Sequence, residues 1–175
     1  LTAPAINQSM YRKFERRDWQ EVLRLVVIVG ALLQAAWLYP GFVYADSFDQ
    51  YTQALKGQFS DWHPPILALF WRLQIEVLGT GNLFYAIHIA GYWLALYLVL
   101  RHWPASKWPA IAVLGMGFAP FALPFLGVVW KDVSLAVSAM LACALIIDAR
   151  IQSKPINIQR GVIIGLLLLR SEERR

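Results

Sequence analysis

Long apolar runs, separated by short polar ones, constrain this chain more than any other feature. The first, at 23–39, reads LRLVVIVGALLQAAWLY, and Arg24 is its one charge. At about 1.5 Å per helical residue it comes close to crossing the roughly 30 Å hydrocarbon layer of a bilayer. Trp37 and Tyr39 suit the interfacial level, and Pro40-Gly41 stops the helix. Further runs lie at 83–100, at 109–129 with Pro120 and Pro124 inside it, and at 133–147; a last one opens at Gly161 and is cut short by Arg170. Of the 175 residues, 58% are apolar and 15% charged, where a soluble domain carries about a quarter charged. The expected fold class is therefore all-α: a polytopic transmembrane helical protein with about five membrane spans plus short juxtamembrane helices on the outer face.

One further segment, PILALFWRLQIEVLG at 65–79, is shorter than these spans and carries Arg72, Gln74 and Glu76. Its length and polarity predict an interfacial or re-entrant helix, started by Pro64-Pro65 and ended by Gly79. The distribution of cations agrees. If 65–79 does not cross, one side receives Arg12, Lys13, Arg16, Arg17 and Arg24, then Arg101 and Lys107, then Arg150, Lys154 and Arg160. The other side receives Lys56, Arg72 and Lys131, with Asp46, Asp49, Asp61, Glu76 and Asp132. Lysine and arginine bias sets orientation, so the expected placement is a multi-pass protein of the bacterial inner (cytoplasmic) membrane with its N-terminus in the cytoplasm.

The net charge of +5 sits in the gaps between apolar runs, which reads as topology and not as a nucleic-acid surface. Cys143, the single cysteine, excludes an internal disulfide and reads as a small buried apolar residue. No short cleavable signal pattern precedes the first run, so that run reads as a retained anchor. The chain opens on Leu1 rather than Met, and the charged end SEERR reads as a truncation or a divergent end.

Two polar stretches then face one compartment. The first, YADSFDQYTQALKGQFSDWHPP at 44–65, predicts a short helix capped by Asp46 or Ser47, with Gly57 near its end. On it Asp46, Asp49, Gln50 and Gln53 share one face by helical spacing, and Phe48, Tyr51 and Leu55 the other. An ordinary amphipathic interfacial helix would show the same pattern. Asp61 and His63 precede a proline-started helix, whose free N–H groups form a natural anion site. Trp62 reads as an interfacial anchor. The second stretch is Trp130-Lys131-Asp132. A carboxylate beside a cation is what a reaction at a lipid phosphate requires: one orients or deprotonates the acceptor, the other meets phosphate charge. It is also how many apolar helices simply begin. His88 reads as helix packing and His102 as a solvated loop residue. No metal-ligand spacing, nucleotide-binding glycine loop or G-x-S-x-G occurs. A divalent cation beside the carboxylates is left open.

The order of these pieces resembles a known family. An apolar run, then P-G-x-x-x-x-D-S-x-x-Q-x-x-x-A-x-x-G, then S-D-W-H-P-P, then a K-D opening a later run, is similar to the N-terminal part of polytopic GT-C type glycosyltransferases. Among these are the bacterial dolichyl-phosphate-mannose-type and lipid-A-modifying transferases. The similarity covers most of 20–165 and rests on Pro40, Gly41, Asp46, Ser47, Gln50, Ala54 and Gly57, on 61–65, and on Lys131 and Asp132. It implies transfer of a sugar from a polyprenyl-phosphate donor to a lipid, glycan or protein acceptor on the outer face. Asp46 and Asp132 would then be the catalytic acids. Asp49, Gln50, Asp61, His63 and Lys131 would bind substrate, with Lys131 toward the donor phosphate and no metal ligand assigned. Implied partners are the lipid-linked donor, a lipid or glycan acceptor and membrane lipids, with no nucleic acid.

The resemblance also implies an organisation: a cytoplasmic segment at 1–22, a GT-C-like transmembrane region at 23–170 with outer loops at 40–82 and 127–132, and a truncated or divergent charged tail at 171–175. Members of the family are longer, so activity is expected of a longer chain. Two other readings stand beside it. A transporter or channel would need ionisable residues inside the apolar runs, where His88 is almost alone. A truncated membrane protein would keep the outer stretch without a complete pocket.

Overall fold

The computed structural model describes residues 5–58, 65–79, 83–104, 106–153 and 158–168, with side chains described for 17–45, 47–58, 68–79, 83–104, 106–153 and 159–165. In chain order the elements are α1 (Ala5–Leu38), β1 (Phe42–Val43), α2 (Ala45–Lys56), α3 (Pro65–Leu78) and α4 (Phe84–Leu100). They continue with α5 (Trp108–Gly117), α6 (Ala122–Leu126), β2 (Val128–Val129), α7 (Lys131–Ile151) and α8 (Ile158–Leu168).

Helix α1 has no proline between Ala5 and Leu38, and it runs 34 residues straight through the expected boundary between 22 and 23. Its polar first part and apolar second part are one helix. Proline and glycine at 40–41 end it, as the sequence predicts. Helix α2 ends at Gly57 in the left-handed conformation, φ 66°, with its N–H on the Gln53 carbonyl. That conformation costs a side chain with a Cβ free energy and costs glycine little.

Helix α4 is the centre of the molecule. It packs on α1, α5 and α7, and Ile89, Trp93, Ala95 and Leu96 are buried within it. The Trp93 ring fills the space between α1 and α5, where Gly30 and Gly117 leave room for it. Its indole Nε1 donates to Gln34 Oε1 at 2.6 Å, and Gln34 Nε2 donates to the Gly117 carbonyl at 3.0 Å. Gln34 is thus completely buried yet satisfied at both ends of its amide. Cross-contacts give the directions. Arg24 Nε donates to Tyr97 Oη at 3.1 Å and Tyr39 stacks edge-on against Tyr85, so α4 runs antiparallel to α1. His88 meets Ser134, and His102, just beyond the end of α4, meets Asp148, so α7 runs parallel to α4.

The five-span expectation is corrected here. Among the described residues two helices have the length and apolarity to cross a membrane: Arg17–Leu38 within α1, and α7. Helix α4 has 17 residues and α5 has 10, or about 25 Å and 15 Å at 1.5 Å per residue. The run at 109–129 fails as a single helix because its two prolines lack the N–H and crowd the preceding turn. It becomes α5, a turn, the five-residue α6 and β2. The described part of the last run is the 11-residue α8. The multi-pass inner-membrane placement with a cytoplasmic N-terminus rested on five crossings and is corrected with them. Helix α3, at 14 residues, is the short helix that its sequence predicts, and it packs against α2 through Tyr51 and Trp71, ring centroids 5.5 Å apart.

Candidate functional site

The two polar stretches singled out in the sequence are joined in the structure by backbone. Strands β1 and β2 pair in parallel, Phe42 opposite Val128 and Val43 opposite Val129. Phe42 N–H also donates to the Gly127 carbonyl at 2.7 Å. Each strand leads almost directly into a helix: β1 through Tyr44 into α2, β2 through Trp130 into α7. Both linking residues are extended, and their rings lie 5.9 Å apart. The helix N-termini carrying the candidate acids therefore start side by side, although 86 positions separate Asp46 from Asp132.

Ser47 locks this junction. The sequence suggests it as a helix cap, but it lies inside α2, and its hydroxyl donates across to the Val129 carbonyl. Buried Ser47, Gln50 and Ala54 form the face of α2 turned to the protein. Phe48 and Leu55 point outward, 65% and 57% exposed. Gln50 is thus held in the interior, apart from the exposed Asp49, whose carboxylate accepts from Gln53 Nε2 at 3.0 Å. The expected shared polar face is split.

Asp46 is the second residue of α2. Asp132 is exposed in the first turn of α7, where a carboxylate is favoured by the unpaired N–H groups and the helix dipole. Lys131, half-buried, opens the same turn. Asp61 and His63 lie outside the described residues.

Beneath the junction sits a pair that sequence reading assigned only to packing. His88, 2% exposed, places Nε2 at 2.7 Å from Ser134 Oγ, one turn into α7. Ser134 Oγ is also 3.3 Å from the Trp130 carbonyl, so the hydroxyl can donate to either partner. Trp130 Nε1 is buried with no hydrogen-bond partner among the described residues, and the other ring nitrogen of His88 faces the Val128 backbone. Such groups cost free energy unless something meets them. The Trp130 indole N–H beside the junction is such a group. Ser134 carried no signal of its own, because a lone serine in an apolar helix is common.

A second polar cluster lies at the other end of α7. Asp148 is 1% exposed and contacts Arg101; it accepts from His102 Nε2 at 2.8 Å and Gln152 Nε2 at 2.9 Å, with Arg160 at 3.9 Å. His102, expected in solvent, is instead held here with a side chain 17% exposed, whereas Cys143 on the same helix α7, expected to be buried, is exposed. The apolar run was expected to end at 147, which hid Asp148. It lies four residues after Ala144, also buried, on the same helix face. Among the described residues no three His, Cys, Asp or Glu side chains come together to hold a metal ion.

No protein-family model matches the chain, and comparison with curated proteins and with solved structures finds no match.

Proposed function

We propose that this chain forms the acceptor-activating part of a glycosyltransferase, moving a sugar from a polyprenyl-phosphate donor to a lipid, glycan or protein hydroxyl. In that reaction the acceptor oxygen bonds to the anomeric carbon while the bond from that carbon to the phosphate oxygen breaks. The acceptor proton passes to Asp46, polyprenyl phosphate leaves, and Lys131 meets the charge gained by the leaving phosphate. Asp132 orients the acceptor. The observation carrying this reading is the junction itself: pairing of Phe42-Val43 with Val128-Val129 sets the starts of α2 and α7 side by side. Buried Trp130 Nε1, without a protein partner among the described residues, is a donor suited to an oxygen of donor or acceptor.

The transport reading gains a buried ionisable residue in Asp148, but that carboxylate is already engaged by Arg101, His102 and Gln152. It reads as a clasp between helices. The test is transfer of radiolabelled sugar from a polyprenyl-phosphate donor by the full-length natural protein. Asp46→Asn is expected to lower turnover by at least about a hundredfold with unchanged folding. Wild-type turnover by that variant, or no transfer from any polyprenyl-phosphate sugar by the unaltered protein, rejects the assignment.

A further inference from the structure

The end of the molecule opposite the junction gathers cations from three distant parts of the sequence. Gln20 Nε2 on α1 donates to the Arg101 carbonyl at 2.6 Å, which sets the first half of α1 beside the end of α4. The Asp148 clasp adds the last turns of α7 and, through Arg160, the start of α8. Helix α5 starts a few residues beyond α4, with Lys107 at its N-cap. Among the described side chains this end holds Arg17, Arg24, Arg101, Lys107, Arg150 and Arg160 against Asp18, Glu21 and Asp148. Asp148 is buried against Arg101, so it presents no negative surface outside. The junction end, by contrast, balances Lys56, Arg72 and Lys131 with Asp49, Glu76 and Asp132.

Two tryptophans stand among these cations. Trp103 is 52% and Trp108 62% exposed, and Lys107 Nζ lies 5.7 Å from the centre of the Trp108 ring. Just inward come exposed Leu25 and Ile28 on α1, Ile111 on α5 and Ile147 on α7. Cations outermost, then amphipathic indoles, then an apolar collar is the layering that a phospholipid surface presents in reverse: phosphates, then the interfacial level, then acyl chains. A nucleic acid would meet the cations but leave the collar in water.

We propose that this basic end binds anionic phospholipid, with Arg17, Lys107 and Arg150 on headgroup phosphates and Trp103 and Trp108 at the interfacial level. The inference does not depend on sugar transfer, which concerns the opposite end. The test is lipid retention: the purified chain is equilibrated with equal amounts of phosphatidylglycerol and phosphatidylcholine in neutral detergent, washed, and its bound lipid measured. The unaltered chain is expected to retain phosphatidylglycerol in preference, at least roughly fivefold, and to lose that preference in 0.5 M NaCl. The triple variant R17Q/K107Q/R150Q, all three surface positions, is expected to retain both lipids equally with the same thermal midpoint. No preference in the unaltered chain, an undiminished preference in the triple variant, or displacement of phosphatidylglycerol by single-stranded RNA overturns the proposal.

Discussion

Trp93 shows how much a single residue decides. Its ring occupies the point where α1, α4 and α5 meet, and Phe118 packs edge-on against it at 5.5 Å. A Cβ on Gly30 or Gly117 would overlap that ring. The helix backbones can come no closer with anything larger than hydrogen there. Gly30→Ala is therefore expected to destabilise by about 2 kcal/mol, because Trp93 must shift and stretch its bond to Gln34. Gly115→Ala makes the control: nothing lies within 4 Å of a Cβ there, so it is expected to be neutral or to stabilise by up to about 1 kcal/mol through helix propensity. Denaturant unfolding of both variants checks the pair, and equal effects at the two positions would mean the ring is not the obstacle. None of this was legible beforehand. A glycine in an apolar run has the same appearance whether it faces an indole or lipid, and nothing in that run marks Gln34 as the partner of Trp93.

At the scale of elements, local chemistry was the legible part. The ends of α1, α2 and α3 follow from Pro40-Gly41, Gly57 and Gly79, since chain-breaking residues act within a turn of themselves. The broken run at 109–129 follows from its prolines, though its division into α5, α6 and a strand did not. What the sequence could not show were partners across long separations: β1 with β2, His88 with Ser134, and Asp148 with Arg101 and His102. Each pairs groups that look unremarkable alone. The Asp148 clasp has the largest energetic consequence, because it ties α4, α7 and α8 at one point around a carboxylate 1% exposed. Replacing it by Asn leaves the Arg101 guanidinium, itself only about a quarter exposed, without its counter-charge. Asp148→Asn is expected to cost about 3 kcal/mol and to speed amide hydrogen exchange in the last turns of α7 and in α8. Exchange unchanged there, with a loss below about 0.5 kcal/mol, would show the cluster to be no more than a surface ion pair.

For the whole molecule, the decisive quantity is apolar surface left uncovered. Leu25, Ile28, Leu32, Leu33 and Trp37 follow one another at helical spacing along α1 and are each more than half exposed. The same helix turns Leu23, Gly30 and Gln34 inward. A continuous stripe of that length along a 34-residue helix exceeds the scattered apolar contacts a dissolved monomer normally shows. Composition shows an apolar excess, but it could not say that only α1 and α7, among the described helices, have the length to cross a bilayer. Counting apolar runs treats a fragmented run like an unbroken one, and that is where the five crossings came from. The surplus has a direct physical consequence. In plain buffer the purified chain is expected to self-associate, eluting as a broad high-mass species that binds a hydrophobic dye. In a neutral detergent above its micelle concentration it is expected to become one narrow species, because detergent tails replace water along the stripe. The double variant Ile28→Asn with Leu32→Asn, both on the exposed face, is expected to shift the distribution toward the monomer in plain buffer. A sharp monomer peak without detergent and without dye binding would mean that the stripe is covered within the chain, and that α1 sits otherwise than described.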